Sequence, residues 1–476
     1  MFPNSKKWSL FSVVAVGVFM STLDSSMVNI ALPAIMRDFN SHLHTTEWVV
    51  MVYLLTITAT LLLWGHLGDR IGKEKIYPRG LLLFAIGSLA CAMADTLGTL
   101  IAARCGQAFG AAMMMATGPA LIRQTFPPNQ LGRGLGLIGV AVSLGLMTGP
   151  SLGGILMEFY SWRAIFLVTV PVGFLFYLLA RAVIPPSPRP RTAHHFDWPG
   201  GLFWSAALLL LSLAVTHATA VDWSTPLLII LFLAGLLCLA IFIKIEATVP
   251  HPLLPLHLFS HRFFSAAIAS AVISFMILFV VMMLTPFYLD RVLALSSARI
   301  GMIMMAIPLT AMLVAPIAGH LSDHIGARLL SSLGLLLSAI GLLLLASLSA
   351  VAHPFAVAAR LALVGIGQAM FLSPNSASLL GRVDKQYLSA SAALLATARN
   401  LGMLLGIAQA GLVFAVGFSR ATGGLDMKDF TAQHNDAFML ALATAFRVAA
   451  ALGLIGAAIS WLRDESPPKL PATDRD

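Results

Sequence analysis

The residue in this sequence with the most chemistry to offer is an acid inside an apolar run. Asp24 lies in Phe19 to Pro33, FMSTLDSSMVNIALP, within a first apolar run from Trp8 to Pro33. A run of about 20 apolar residues is long enough to cross a bilayer core. An ionised side chain there costs at least a few kcal/mol, and a carboxyl avoids that cost by taking up a proton. Such a group titrates as its surroundings change, as a proton-coupled machine requires. The bland alternative is a helix-capping or merely hydrogen-bonded Asp near a membrane interface. Arg104 is the matching cation. The first helix is expected to leave the membrane near Pro33, nine residues after Asp24, and the fourth run starts near Leu97, seven residues before Arg104. At about 1.5 Å per residue both sit roughly 10–14 Å below one surface, so the two are expected to be coupled, directly or through water and Gln107. Asn29, Tyr53 and Gln107 add polar contacts to a substrate cavity. Met113 to Met115 and Met282-Met283 are an adaptable apolar lining, or equally packing and lipid contact.

Composition says what must hold these residues. A 476-residue chain that is 58% hydrophobic and 10% charged has too much apolar surface for one soluble core, so an all-α integral membrane protein is expected in contact with a lipid bilayer. The net charge of +9 fits a cytoplasmic-face bias better than nucleic-acid binding. Lys6 and Lys7 precede a run too long for a signal peptide, with no cleavage site after it, so a retained first helix is expected. Cys91, Cys105 and Cys238 lie in apolar runs without metal spacing. His194, His195, His251, His257 and His261 lack a convergent ligand set. No GxxxxGK followed by Ser or Thr occurs, so ATP is not the expected energy source. No cofactor, metal or enzyme activity is expected.

Fourteen apolar runs can be placed at 9–32, 47–66, 77–95, 97–122, 133–157, 162–184, 199–219, 226–245, 263–288, 300–320, 329–349, 355–379, 390–417 and 437–462. Of 29 Lys and Arg residues, Arg37, Arg163, Arg291, Arg299, Arg420 and Lys428 fall in loops on the side opposite the N-terminus. Arg104, Arg360, Arg399 and Arg447 lie deep, and the rest cluster on the N-terminal side. That imbalance puts both termini in the cytoplasm. Asp24 is the one acid deep in a run, while Glu47, Asp95 and Glu158 sit near outer ends. GHLGDRIGKEK at 65–75 recurs as GHLSDHIGARL at 319–329, and Ala102-Ala103-Arg104 recurs as Ala358-Ala359-Arg360, offsets of 254 and 256. Each pair lies eight runs apart, so two duplicated six-helix units with an inserted helix pair are expected: residues 1–185, an insert at 186–262, and 263–476.

These segments together resemble the major facilitator superfamily, and within it the fourteen-helix branch of drug:proton antiporters. DSSMVNIALP at Asp24 to Pro33 is similar to that branch's first-helix signature LDxTxVNVALP, with Ser26 for Thr. Gly65 to Lys75 resembles the loop signature GxLaDrxGrkk, with Glu74 where a basic residue is usual. Arg104, Gln107 and Gly110 match RxxqGxG on helix 4. Gly145 to Gly154, GLMTGPSLGG, matches the antiporter signature GxxxGPxxGG on helix 5. Trp162-Arg163 and Pro171 to Gly173 resemble the start of helix 6. The resemblance implies the major facilitator fold with 14 transmembrane helices, export rather than import, and a bacterial cytoplasmic (inner) membrane.

The motifs also have physical readings. Gly65, Gly68 and Gly72 permit a tight turn, and Asp69 with Arg70 can make a contact between bundles that forms in one arrangement only, or be a charged turn with no switching role. Gly145, Gly149, Gly153 and Gly154 give a smooth face for close helix packing, with Pro150 allowing a bend; ordinary packing predicts the same residues. Arg360 repeats Arg104 and is either a cavity residue or a relic capping carbonyls. Arg399 and Arg447 would favour an anionic or zwitterionic substrate if they faced a cavity. The expected function is a proton-coupled antiporter exporting amphipathic or hydrophobic small molecules by alternating access, working as a monomer. An exporter of an anionic metabolite, lipid or siderophore is the nearest alternative, and a non-transporting membrane sensor or scaffold is the alternative of another class.

Overall fold

The computed structural model describes residues 4–126, 131–185, 197–216, 225–249, 256–382 and 388–463. Regular structure among them is helical throughout. Each of the fourteen apolar runs carries helix. In the first half these are α1 (Asn4–Asp38), α3 (Trp48–Ile71), α4 (Lys73–Ala92), α5 (Leu97–Thr125), α6 (Leu131–Phe159) and the pair α7 (Ala164–Leu167) and α8 (Thr169–Val183), with a short α2 (Leu43–Thr46) between the first two. Next come α9 (Trp198–Thr216) and α10 (Thr225–Thr248). The second half holds α11 (Arg262–Phe287), the pair α12 (Ser297–Met304) and α13 (Ala306–Ile325), α14 (Ala327–Ala346), α15 (Pro354–Gly381), α16 (Leu388–Thr422) and α17 (Asn435–Trp461). Ten helical segments are long and apolar enough by themselves to cross a membrane, and Trp198–Ala214 is a shorter apolar helix.

Three departures from the expected runs have local causes. α1 runs through Pro33 to Asp38, because a proline's neighbours can complete the helix when the freed carbonyl is buried in protein. Asp24 is therefore fourteen residues, about 21 Å, from the end of its helix. The runs at 162–184 and 300–320 are each broken, after Leu167 and after Met304. The same chemistry accounts for both: Pro171 and Pro308 have no N–H for the carbonyls of Leu167 and Met304, four residues back.

Packing sorts the helices into two sets. α1 packs on α6, α5 and α8, and α5 on α3 and α4; in the other set α11 packs on α16, α17 and α15, and α14 on α15 and α17. α9 and α10 pair with each other, and α9 lies on α3 and α16. Trp204 Nε1 and Ser205 Oγ of α9 donate to the carbonyls of Thr58 and Ala59 on α3, at 3.2 and 3.0 Å.

The internal repeat reaches down to single glycines. Gly72 and Gly326, 254 residues apart, occupy the same turn with φ of +108° and +88°, where a Cβ is strained. Gly80 and Gly110 bring the backbones of α4 and α5 together, and Gly334 and Gly367 do so for α14 and α15. A Cβ at Gly110 would press on the backbone of Phe84, whereas one at Gly106, a turn away, would meet nothing within 4 Å. Gly110→Ala should therefore cost about 1–3 kcal/mol through overpacking, and Gly106→Ala should be neutral or stabilising by up to about 1 kcal/mol. Thermal unfolding of the two variants in detergent checks the contrast; equal shifts would refute it.

Candidate functional site

Asp24 is fully buried, and both its oxygens are occupied. Arg104 Nη1 donates to Asp24 Oδ2 at 2.5 Å and to Gln107 Oε1 at 2.6 Å, and Arg104 Nε donates to the Val49 carbonyl at 3.0 Å. Gln107 Nε2 donates to Asp24 Oδ1 at 2.9 Å and to Ser88 Oγ at 2.8 Å. The guanidinium lies 4.1 Å over the Tyr53 ring and 5.6 Å from the Phe166 ring centroid. Tyr53 in turn shares a hydrogen bond with Ser21 at 2.9 Å. Four helices thus meet on one ion pair: α1 gives the acid, α5 the cation and the amide, α3 a carbonyl and a ring, and α4 a hydroxyl. A carboxylate that accepts twice and donates nothing has the geometry of the ionised form.

Small residues let the network form. A Cβ at Gly87 would sit 2.5 Å from Gln107 Cα, so glycine there allows α5 close enough for Gln107 to reach the next residue, Ser88. On α6, Gly145, Gly149 and Gly153 all pack on α1, against Phe19 and Thr22, Leu23 and Ser26, and Met27. Gly154 and Pro150 face the other way: a Cβ at Gly154 would lie 3.1 Å from Gly301 Cα on α12, and Gly301 abuts the Pro150 backbone. One helix therefore grips the acid-bearing helix on one side and the second set of helices on the other.

Further contacts join the two sets at the ends where α1 stops and α3 begins. Arg37 pairs with Asp290 at 2.5 Å, Glu158 Oε2 accepts from the Ala298 amide at 3.2 Å, and His42 Nδ1 lies 2.9 Å from Asp426 Oδ2. Asp38 accepts from Trp162 Nε1 and from Arg163 Nη1, each at 2.9 Å, which ties α1 to the connection between α6 and α7.

The other expected site residues fall in different places. Asn29 is buried on α1, donating to Ser25 O at 2.9 Å, with its Oδ1 unpartnered. Tyr53 and Gln107, expected to line a cavity, are closed inside the first set. Met113 packs in the α4–α5 interface beside Gly80, where small residues draw the helices together. Arg360 and Arg399 are half-buried and make no hydrogen bond or ion pair among the described residues, and Arg447 is exposed on α17. The second half lacks an acid like Asp24; its comparable link is Ser274 Oγ donating to Gln368 Oε1 at 2.7 Å. Gly65 is open, Arg70 exposed and Gly72 in its turn, while the side chain of Asp69 lies outside the described residues, as does that of its repeat, Asp323. Sequence reasoning missed Ser88, Ser21, Phe166 and the Val49 carbonyl; the adjacent Gly87-Ser88 pair in an apolar run was the one available signal.

Two repeated sets of long apolar helices, one closed around a buried ion pair, define a polytopic membrane transporter. The chain belongs to the major facilitator superfamily, whose family model, described as Major Facilitator Superfamily, matches residues 14–292 and 266–476. It is 34% identical over 454 residues to the riboflavin transporter RibZ of Clostridioides difficile (strain 630), covering 95% of this chain and 96% of that one. It is 31% identical over 404 residues to the multidrug resistance protein Stp of Mycobacterium tuberculosis (strain ATCC 25618 / H37Rv), covering 85% and 75%. In fold it matches a bacterial homolog of the human lysosomal transporter Spinster, solved inward-facing and unoccupied, with TM-score 0.70 at 14% identity over 97% and 98% of the two chains.

The ion pair makes a separable energetic prediction. Arg104→Met leaves a buried carboxylate without its counter-charge and should cost about 3–5 kcal/mol, much of which Asp24→Asn on top should restore. Thermal unfolding of both single variants and the double variant measures the coupling; strictly additive losses would contradict the pairing.

Proposed function

We propose that this chain is a proton-coupled antiporter that exports amphipathic or hydrophobic small molecules across a bacterial cytoplasmic membrane by alternating access. In this reading fourteen helices span the bilayer with both termini in the cytoplasm, as two six-helix bundles, residues 1–185 and 263–476, with an insert at 186–262. The observation that carries it is the buried Asp24 carboxylate held by Arg104 and Gln107. The contacts between sets lie at the outer ends in this topology, so the arrangement is outside-closed, with Asp24 in the geometry of a proton already released. Separation at Gly154 and Gly301 would move α6, and α6 grips α1 through Gly145, Gly149 and Gly153. α1 would then shift against α5, Asp24 would lose its donors and take a proton from outside, and substrate would leave. Arg104 would keep Val49 and Tyr53 as partners. Gly65, Asp69, Arg70 and Gly72 would form the inner switch between the bundles. Similarity to a protein named for multidrug resistance supports export.

A second reading, transport of a polar or anionic solute, is favoured by Arg360 and Arg399, two half-buried cations without protein partners among the described residues. Similarity to a protein named for riboflavin supports that reading too. A sensor or scaffold would show no flux at all.

The test is substrate-induced pH change in proteoliposomes across cationic, neutral and anionic compounds. Asp24→Asn should abolish proton-driven flux, a loss of at least about tenfold if one coupled barrier rises by about 1.4 kcal/mol or more, while the protein stays folded. Coupled flux retained in that variant would remove the mechanism. Arg399→Gln should weaken transport of anions selectively if the second reading is right.

A further inference from the structure

Glu47 stands between α2 and α3 with its side chain 2% exposed. It is the residue before α3, yet its carboxylate does not cap that helix. Instead it projects across to the second set and fills the space where a Cβ on Gly411 of α16 would be. Its Oε1 is buried with no hydrogen-bond partner. The charged and titratable groups on the surrounding elements are His42 and His44 beside α2, Arg37 and Asp38 at the end of α1, Asp426 and Lys428 in the loop after α16, and Arg399 and Arg420 on α16 itself. Among the described residues none of these forms a hydrogen bond or ion pair with Glu47. His42 pairs with Asp426, Arg37 with Asp290, and Asp38 with Arg163. Arg399 lies twelve residues along α16 from Gly411, about 18 Å, and Arg420 nine residues the other way, about 13 Å.

A carboxylate buried without a partner is far more costly ionised than neutral. The same group on the outer rim of a separated interface is solvated and ionises freely. Closing the two sets over Glu47 therefore requires a proton, and that proton comes from the side on which Glu47 is exposed when the sets part. We propose that Glu47 is a second protonation site, a proton-operated latch on the outer gate, whose neutral form seats against Gly411 and holds the outside-closed state. This rests on the alternating-access reading above. The latch proton returns to the side it came from when the gate reopens, so it biases the cycle without being carried across. Lower outer pH therefore favours the closed state through Glu47 and the open state through Asp24, so the latch is read with Asp24 replaced by Asn. The role differs from that of Asp24: in the outside-closed arrangement Asp24 is paired as the anion, whereas Glu47 is sealed in as the acid.

The test reads the outer gate directly. Spin labels at Phe159→Cys and Val351→Cys, outer positions 75% and 89% exposed on opposite sets, report gate distance in the full chain after replacement of Cys91, Cys105 and Cys238. With Asp24→Asn as the parent, which removes the proton taken up on outer opening, the labelled protein should shift toward the short distance as outer pH falls. Glu47→Gln, which mimics the neutral acid at nearly constant shape, should lose that dependence and stay closed at every pH. Gly411→Ala, whose Cβ takes the carboxylate's place, should favour the long distance at every pH. A Glu47→Gln variant that titrates like its parent overturns the latch and leaves Asp24 coupling standing. A Gly411→Ala gate that still closes at low pH overturns it as well. If the Asp24→Asn gate ignores pH while flux in the unsubstituted protein is proton-coupled, the latch alone is refuted; if that coupled flux is absent too, the transport reading falls with it.

Discussion

The structure depends on a charge that has nowhere else to go. Asp24 sits fully buried in a helix that crosses apolar surroundings, and a lone carboxylate there would be prohibitively destabilising. Arg104 offsets that cost only because α5 can approach α1, α3 and α4 at once. The approach in turn depends on Gly87 and Gly110, which bring α4 and α5 backbone to backbone. The pair is thus both a stabilising contact and a constraint: while it is intact, α1, α3, α4 and α5 are held together around it. Its energy is conditional, because each partner is stabilising only while the other is present.

The surrounding architecture links that local condition to the relation between the two sets. α6 is the connecting element, with three glycines against the helix that carries Asp24 and a fourth, with Pro150, against Gly301 of the second set. The Asp38 bonds to Trp162 and Arg163 fasten the far end of α1 to the same region. The duplicated halves share the Gly72 and Gly326 turn and the same close helix approaches, yet among the described residues only the first half carries a fully buried acid within a long helix. In the second half Arg360 repeats Arg104 without a partner of its kind, so the duplication preserves the scaffold and not the chemistry.

What was legible in the sequence was whatever depends on composition, depth or repetition. Asp24 and Arg104 were paired from a shared depth, although α1 proved longer than Pro33 suggested; the estimate survived because Arg104 has the reach to meet Asp24 wherever the helix ends. The spans, the Gly72 turn and its copy were readable because an apolar run and a repeated glycine are local signals. Gly154 facing a different neighbour from Gly145, Gly149 and Gly153 was not readable, since helical spacing shows that residues share a face but not which helix occupies it. Ser88 was invisible for the same reason, one hydroxyl among many in apolar runs. Met113 lies between α4 and α5 beside Gly80, the packing alternative, since a flexible apolar side chain fits an interface as well as a cavity. Glu47 was legible only as an acid near the outer end of a run, and the missing Cβ of Gly411, 364 positions along the chain, shows that it is sealed in.

If the buried pair is the centre of the coupling, its protonation state must follow the arrangement of the two sets. Infrared difference spectroscopy of the protein switched between outside-closed and outside-open states observes this directly. A protonated carboxyl C=O band should appear on outer opening and vanish on closing, and it should be missing in Asp24→Asn, where only the opposite change of Glu47 remains. An Asp24 carboxylate that stays ionised in both states, or a band that still appears on opening in Asp24→Asn, would contradict the account.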